Sequence, residues 1–189
     1  MADMVTGHGD GLLRSIWAVI RINVQQHTGE GKIQRIIRFI SKGSKYSGGQ
    51  RMKTKHKSLS KLKKEVWAVF SQYIRLRDCL KTTGTKTHGL CVTCGRRYAF
   101  SQLHAGHFIS GRHNSVLFSE RGVHAQCFNC NITLRGATLE YRRKIIEMYG
   151  KGFDEALEKV ARMTIRYTAA DLEEMKLLYK AKIKELENA

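Results

Sequence analysis

"CVTCGRRYAFSQLHAGHF", residues 91–108, opens on one Cys-x-x-Cys pair and is answered by a second in "VHAQCFNCN", residues 123–131. A Cys-x-x-Cys turn is tight enough for both sulfurs to face one ion. Two such turns, here 32 residues apart, make a closed tetrahedral set of four thiolates. Cys91, Cys94, Cys127 and Cys130 are therefore read as ligands of a structural zinc, with no coordination position left for a substrate. Gly95 follows the first pair, where the chain must turn through the knuckle. A redox disulfide would call for a βαβ pattern around the pair, and none is evident. Cys79 is left over and reads as a helix residue without a metal role.

The insert between the pairs exceeds the ~15–20 residues of a simple four-cysteine finger, so it must hold structure of its own. "RYAFSQLHAGHFIS" (97–110) predicts two short strands in a hairpin, the second carrying His104 and His107. "VHAQCFNCNITLRG" (123–136) predicts the second knuckle and the start of a helix. The expected unit is a zinc-stapled ββα core, treble-clef-like, in an α+β chain that is mostly helical. Asn131, directly after Cys130, would stand at the base of that helix, facing the histidine strand.

Side chains three apart on a strand point to opposite faces. His104 and His107 can share one ion only if Gly106 introduces a bulge. His107 is the stronger candidate for chemistry: it follows Gly106, whose missing side chain would let a phosphodiester approach, and Phe108 and Ile109 anchor the strand behind it. An imidazole titrates near neutrality and can take a proton from water. The carboxamide oxygen of Asn131 is a hard donor that suits Mg²⁺ or Mn²⁺ better than zinc.

Around this core the chain divides into a basic extension at 1–56, an amphipathic helix within 57–88, the zinc-stapled core at 89–136, and C-terminal helices at 137–189. Ile33, Ile36, Ile37 and Ile40 recur at helical spacing, and "SKGSKYSGGQ" (41–50) reads as a flexible link. Leu59, Leu62, Val66, Phe70, Tyr73 and Ile74 form one stripe of a helix. Leu139–Met148 and Phe153–Met163 predict two further helices, separated by Gly150 and Gly152. Thr168 and Asp171 form a capping pair opening a last helix, with Leu172, Met175, Tyr179, Ile183 and Leu186 on one face. That stripe suits dimerisation as well as core packing.

The chain carries 34 Lys and Arg against 16 Asp and Glu, a formal net charge of +18. Residues 1–88 hold 18 basic and 5 acidic side chains, so the excess is concentrated there. Such a bias points to a polyanion, usually nucleic acid, although a basic surface also serves solubility. In "RMKTKHKSLSKLKK" (51–64), Lys53, Lys55, Lys57, Lys61, Lys63 and Lys64 would grip phosphates with little sequence preference. Arg112, His113, Arg121 and Arg135 lie near the histidine site and are further phosphate candidates, each reading equally as a solvated surface residue. No apolar run approaches the ~20 residues needed to span a bilayer. The best candidate, "LLRSIWAVIRINV" (12–24), is broken by Arg14 and Arg21 and has no cleavage site after it.

"AGHF" (105–108), the loop, "SERGVHAQCFNCN" (119–131) and a later tyrosine-bearing helix together resemble the NinG (Rap) recombination proteins of lambdoid phages. Those belong with the zinc-finger His-Me nucleases, which include phage endonuclease VII and the HNH enzymes. The resemblance covers about Lys57 to the C-terminus. It implies a divalent-metal-dependent, structure-selective endonuclease that cuts branched DNA such as Holliday junctions and D-loops, acting as a dimer in the host cytoplasm. Carried over by position, His107 matches the general base and Asn131 the metal ligand. The alternative is a zinc-dependent DNA-binding accessory protein without catalysis. Two departures matter. Gly122 stands where relatives have the asparagine that braces the loop behind the base, with Asn114 and His124 as candidates to replace it. HNH enzymes also place an acid just before the base, where this chain has Gly106. The usual carboxylate ligand is therefore missing, and His104 could stand in only on a bulged strand.

Overall fold

The computed structural model describes residues 57–188. The basic helix around Ile33–Ile40, the link at 41–50, Lys53 and Lys55 lie outside the described residues. Among the described residues five α-helices and four short strands follow one another as α1 (Leu59–Thr83), β1 (His88–Leu90), β2 (Arg97–Ala99), β3 (Leu103–His107), α2 (Asn114–Leu117), β4 (Val123–Cys127), α3 (Thr138–Tyr149), α4 (Phe153–Ala161) and α5 (Ala169–Asn188). A 3₁₀ turn at Phe100–Gln102 leads into β3, and a π-helical turn at Asn129–Thr133 follows β4.

Helix α1 is the spine. Ser58 caps it by accepting the Lys61 N–H on Oγ, and Gly84 ends it in the left-handed region at φ 67°. Its stripe of Leu62, Val66, Phe70, Tyr73 and Ile74 is buried against Leu172, Met175, Tyr179 and Ile183 of α5. Phe70 meets Tyr179 and Phe118 edge-on, with ring centroids 4.9 and 5.7 Å away. The Thr168–Asp171 capping pair closes as read: the Thr168 N–H donates to Asp171 Oδ2 at 2.8 Å, and the Asp171 N–H to Thr168 Oγ1 at 3.2 Å. The apolar stripe of α5 is thus spent on α1. A second, smaller core of Phe108, Tyr141, Ile145 and Leu157 joins α3 and α4 to the loop after β3.

The strand pairing differs from the expected hairpin. Strands at 97–99 and 103–107 exist, but they do not pair with each other. β2 pairs antiparallel with β1 across the first knuckle, and β3 pairs antiparallel with β4. The 3₁₀ turn lies between β2 and β3, and the chain leaves it to pair with β4 instead. The predicted helix at the second knuckle begins inside 123–136 only as the five-residue π turn, while 123–127 is strand; α3 starts later, at Thr138. Asp78 of α1 fastens the second sheet to the spine: its Oδ2 accepts the Ala125 N–H at 2.7 Å, while Arg77 pairs with its Oδ1. Arg77 also donates to the carbonyls of Glu120 and Val123.

Candidate functional site

Metal chemistry begins with the four cysteines. Their sulfurs all lie within 4.8 Å of one another, and Cys94 Sγ and Cys127 Sγ are 4.0 Å apart. Tetrahedral zinc with ~2.3 Å bonds needs sulfurs about 3.8 Å apart, so the cluster can hold such an ion after small adjustment. Cys91, Cys127 and Cys130 are buried and Cys94 is exposed. Burial pushes the Cys127 thiol up, but donors outweigh it: the Cys130 N–H, the Tyr98 hydroxyl and neighbouring thiols bring it to about 7. Cys79 is buried in α1, packed with Leu103 and Ala125, outside this cluster.

The ladder between β3 and β4 runs without interruption, His104 opposite Gln126, Gly106 opposite His124 and His107 opposite Val123. There is no bulge at Gly106, so His104 and His107 leave the strand on opposite faces. The condition for both to grip one ion is not met. His104 instead turns its ring edge-on to exposed Phe128, 5.8 Å away.

His107 is oriented from two sides. Its ring stacks on Trp67 of α1 at 4.8 Å and 15°, and its Nε2 lies 3.0 Å from the carbonyl oxygen of Leu117. A carbonyl only accepts, so Nε2 carries the hydrogen and Nδ1 is left as a lone pair. Burial lowers the His107 pKa below its ordinary 6.5, the Leu117 carbonyl works against that, and Arg112 adds to the lowering. The imidazole is therefore neutral at cellular pH, with Nδ1 free to accept a proton.

Gly122 offers no side chain to brace the imidazole. The Leu117 carbonyl already braces the imidazole, and Gly122 closes the loop with its backbone, its C=O accepting the Phe108 N–H at 2.8 Å. Asn114 is engaged elsewhere, with Lys63 and with the Ile165 carbonyl. His124 supports the strand from behind. The Tyr141 hydroxyl donates to the Gly106 carbonyl at 3.0 Å, so it accepts from His124 Nδ1–H at 2.9 Å; His124 Nε2 then accepts from the Tyr149 hydroxyl at 2.8 Å. Burial drives the His124 pKa down to about 3.

Asn131, from the π turn, stands over Gly106. A Cβ built on Gly106 would lie 3.1 Å from Asn131 Oδ1 and only 1.9 Å from Gln126 Oε1. The glycine is needed there because the Gln126 amide fills that space, a different reason from the room for phosphate expected from sequence. Gln126 is wholly buried and donates its Nε2 hydrogens to Thr93 Oγ1 and to the Gly136 carbonyl. Among the described residues its Oε1 is the one buried side-chain polar atom without a partner. Such an orphan costs about 1–3 kcal/mol.

His104, His107, Asn131 and Arg112 border one open groove of about 530 Å³, together with Trp67, Ser71 and Arg75. Among the described residues no Asp or Glu lines it. Arg112 takes a left-handed conformation at φ 50° and holds its guanidinium 4.9 Å from the Trp67 ring centroid. Other sequence-derived candidates lie apart. His113 borders a separate cavity with Glu158 and Arg162. Arg121 is laid over the rings of Tyr149 and Phe153, and Arg135 is exposed after the π turn. Lys57 pairs with Glu65 at 2.9 Å, Lys63 donates to Asn114 at 3.1 Å, and Lys61 and Lys64 are exposed along the first turns of α1. Trp67, Arg75 and Gln126 were not singled out from sequence. The only signal for the first two was the four-residue spacing Trp67–Ser71–Arg75, which places them on one line of α1.

No helix among the described residues is long and apolar enough to cross a membrane. No solved structure matches the chain. It is 29% identical over 102 residues to "Protein ninG" of Escherichia phage 933W, covering 52% of this chain and 49% of that protein. The same identity and length hold against "Protein ninG" of Escherichia phage lambda, with 52% and 48% covered. Against "Protein ninG" of Salmonella phage P22 the identity is 29% over 100 residues, again with 52% and 48% covered. The matched stretch spans about half the length of these relatives. The family described as "Bacteriophage Lambda NinG protein" matches residues 28–189. With that much of its length matched, the chain belongs to the bacteriophage NinG family.

Proposed function

We propose that this protein is a metal-dependent DNA endonuclease of the His-Me type, acting on branched recombination intermediates. One observation carries the reading: a neutral histidine, its tautomer set by a backbone carbonyl, borders the same groove as an asparagine oxygen on the turn after the second knuckle. His107 Nδ1 takes a proton from water as the water oxygen bonds to phosphorus. The bond from phosphorus to the departing sugar oxygen breaks, and that oxygen leaves with the electron pair. Arg112 and Arg75 give the groove a positive wall that suits a phosphodiester and the charge growing on it. Asn131 would hold Mg²⁺ or Mn²⁺, which when bound supplies charge stabilisation at the phosphate and the leaving oxygen. The donor set fits such an ion, since Asn131 Oδ1 and the unpartnered Gln126 Oε1 are both hard oxygens. Zinc at the four cysteines would tie the end of β4 and the π turn to the first knuckle. Lysines along the start of α1 add affinity that falls with salt. A homodimer, implied by the resemblance, would be built on a surface other than the α5 stripe, which α1 covers.

The experiment is nicking of a four-way junction by zinc-loaded protein in Mg²⁺ and in Mn²⁺, beside His107→Ala. The variant should lose about 10²–10⁴-fold in rate while keeping its zinc and its DNA affinity. Undiminished cleavage would refute the assignment. A second reading, a zinc-stabilised DNA-binding module without catalysis, draws on the absence of any carboxylate from the groove among the described residues. It requires that the unaltered protein bind junctions yet cut none at any concentration.

A further inference from the structure

Among the described residues no acid lines the groove, yet behind Asn131 of its lining a wholly buried oxygen of Gln126 stands where an acid at position 106 would project. A side chain on Gly106 would enter the space taken by Gln126 Oε1, 1.9 Å from the Cβ position, beside Asn131 Oδ1 at 3.1 Å. The two amide oxygens consequently lie within about 5 Å of each other. The orientation of Gln126 is fixed, because its Nε2 hydrogens are committed to Thr93 and to the Gly136 carbonyl, which only accepts. Two amide oxygens of like partial charge thus stand near one another, and that of Gln126 is wholly buried without a donor.

We infer that Gln126 Oε1 is the second protein ligand of the catalytic divalent cation, replacing across the strand pair the carboxylate that position 106 lacks. This rests on the nuclease reading and names the donor set of its metal. A cation between the two oxygens satisfies the orphaned acceptor, joins β4 to the π turn, and lies beside the strand position that precedes His107. It also accounts for Gly106, since any side chain there would displace the ligand. With two neutral oxygens and no carboxylate, the site depends on DNA phosphate for most of its affinity. Metal and substrate should then bind synergistically.

The test uses the zinc-loaded full chain carrying ¹³C-glutamine, titrated with Mn²⁺ and read by electron paramagnetic and electron–nuclear double resonance. A ¹³C coupling to bound Mn²⁺ is expected. Gln126→Ala should abolish it and weaken Mn²⁺ binding by roughly tenfold or more. The double change Gly106→Asp with Gln126→Ala should regain binding without the coupling, because the alanine opens room for the carboxylate. Thr93→Val removes one of the Gln126 contacts and leaves Oε1 in place, so it should bind Mn²⁺ like the unaltered chain. The inference is overturned if Mn²⁺ binds without the ¹³C coupling, which is what a half-turn of the Asn131 amide, donating to Gln126 Oε1, would produce. It is overturned equally if Gln126→Ala binds Mn²⁺ unchanged or Thr93→Val loses as much. In those cases nicking that still needs Mn²⁺ and His107 leaves the nuclease reading standing. If no Mn²⁺ binds and no junction is cut, both fall.

Discussion

His124 should make the fold sensitive to mild acid by an amount that can be worked out. It is buried between two tyrosine hydroxyls. Tyr141 is committed to the Gly106 carbonyl, so the neutral tautomer carries its hydrogen on Nδ1 and receives one on Nε2. Protonating Nε2 would set two donors against each other in a desolvated site. Of the charged groups acting on it, Asp78 favours the proton while Arg77 and Lys81 oppose it, and burial dominates, bringing the pKa from 6.5 to about 3. A histidine whose folded pKa is depressed contributes stability that is complete above its unfolded pKa and is lost as pH falls toward the folded value. The window therefore runs from 6.5 down to about 3. Within it the slope is about 1.4 kcal/mol per pH unit, so moving from pH 7 to pH 5 removes about 2 kcal/mol. His124→Gln retains a donor for Tyr141 but cannot titrate. It should be about 1–3 kcal/mol less stable at pH 7 and should lack that further loss at pH 5. Urea unfolding of both chains at the two pH values, with zinc saturating, measures it, and effects of acid on the cysteines cancel in the comparison. Equal losses in the two chains would refute the argument.

Two further outcomes follow from the site. As the proposed base His107 must be neutral, and burial holds its pKa below 6.5; the acid limb of the nicking rate should have its midpoint below 6.5, and a pH–rate profile falling already above that value would contradict the environment described. Cys127→Ser removes one sulfur of a four-member cluster whose ion would tie β4 to the first knuckle. It should lower bound zinc in metal analysis and destabilise the chain by several kcal/mol, with nicking lost through loss of structure rather than chemistry.

The four longer helices were legible because each has a stripe of apolar residues at helical spacing, while the single turn of α2 at Asn114–Leu117 was read as loop. Val66, Phe70 and Ile74 recur at helical spacing, and α5 repeats the pattern at Leu172, Met175, Tyr179 and Ile183. The cysteine cluster was legible for a related reason: a Cys-x-x-Cys turn fixes its own geometry within four residues. Pairing of the strands was not. β2 and β3 are three and five residues long, and nothing local chooses between adjacent partners and ones across a knuckle or a loop. That choice is made by Asp78, which accepts the Ala125 N–H from a helix 47 residues away, a contact with no sequence period.

The groove shows why the same limit applies to chemistry. Each of its residues is aimed by something behind it from a different part of the chain: His107 by the Leu117 carbonyl and the Trp67 ring, the Gly106 carbonyl by Tyr141 with His124. A backbone carbonyl that orients an imidazole leaves no trace in residue type, so sequence pointed to Asn114 and His124 as replacements for an asparagine at 122 and not to the carbonyl of Leu117. Gly106 shows the reverse case. A missing acid read as a missing ligand, while the space it vacated is held by an oxygen from the facing strand. Antiparallel pairing puts Gln126 two positions along from the partner of Gly106, so a donor lost from β3 can be supplied by β4 without any change of register. Substitutions in this core are therefore best judged by which strand pair can reach the same point.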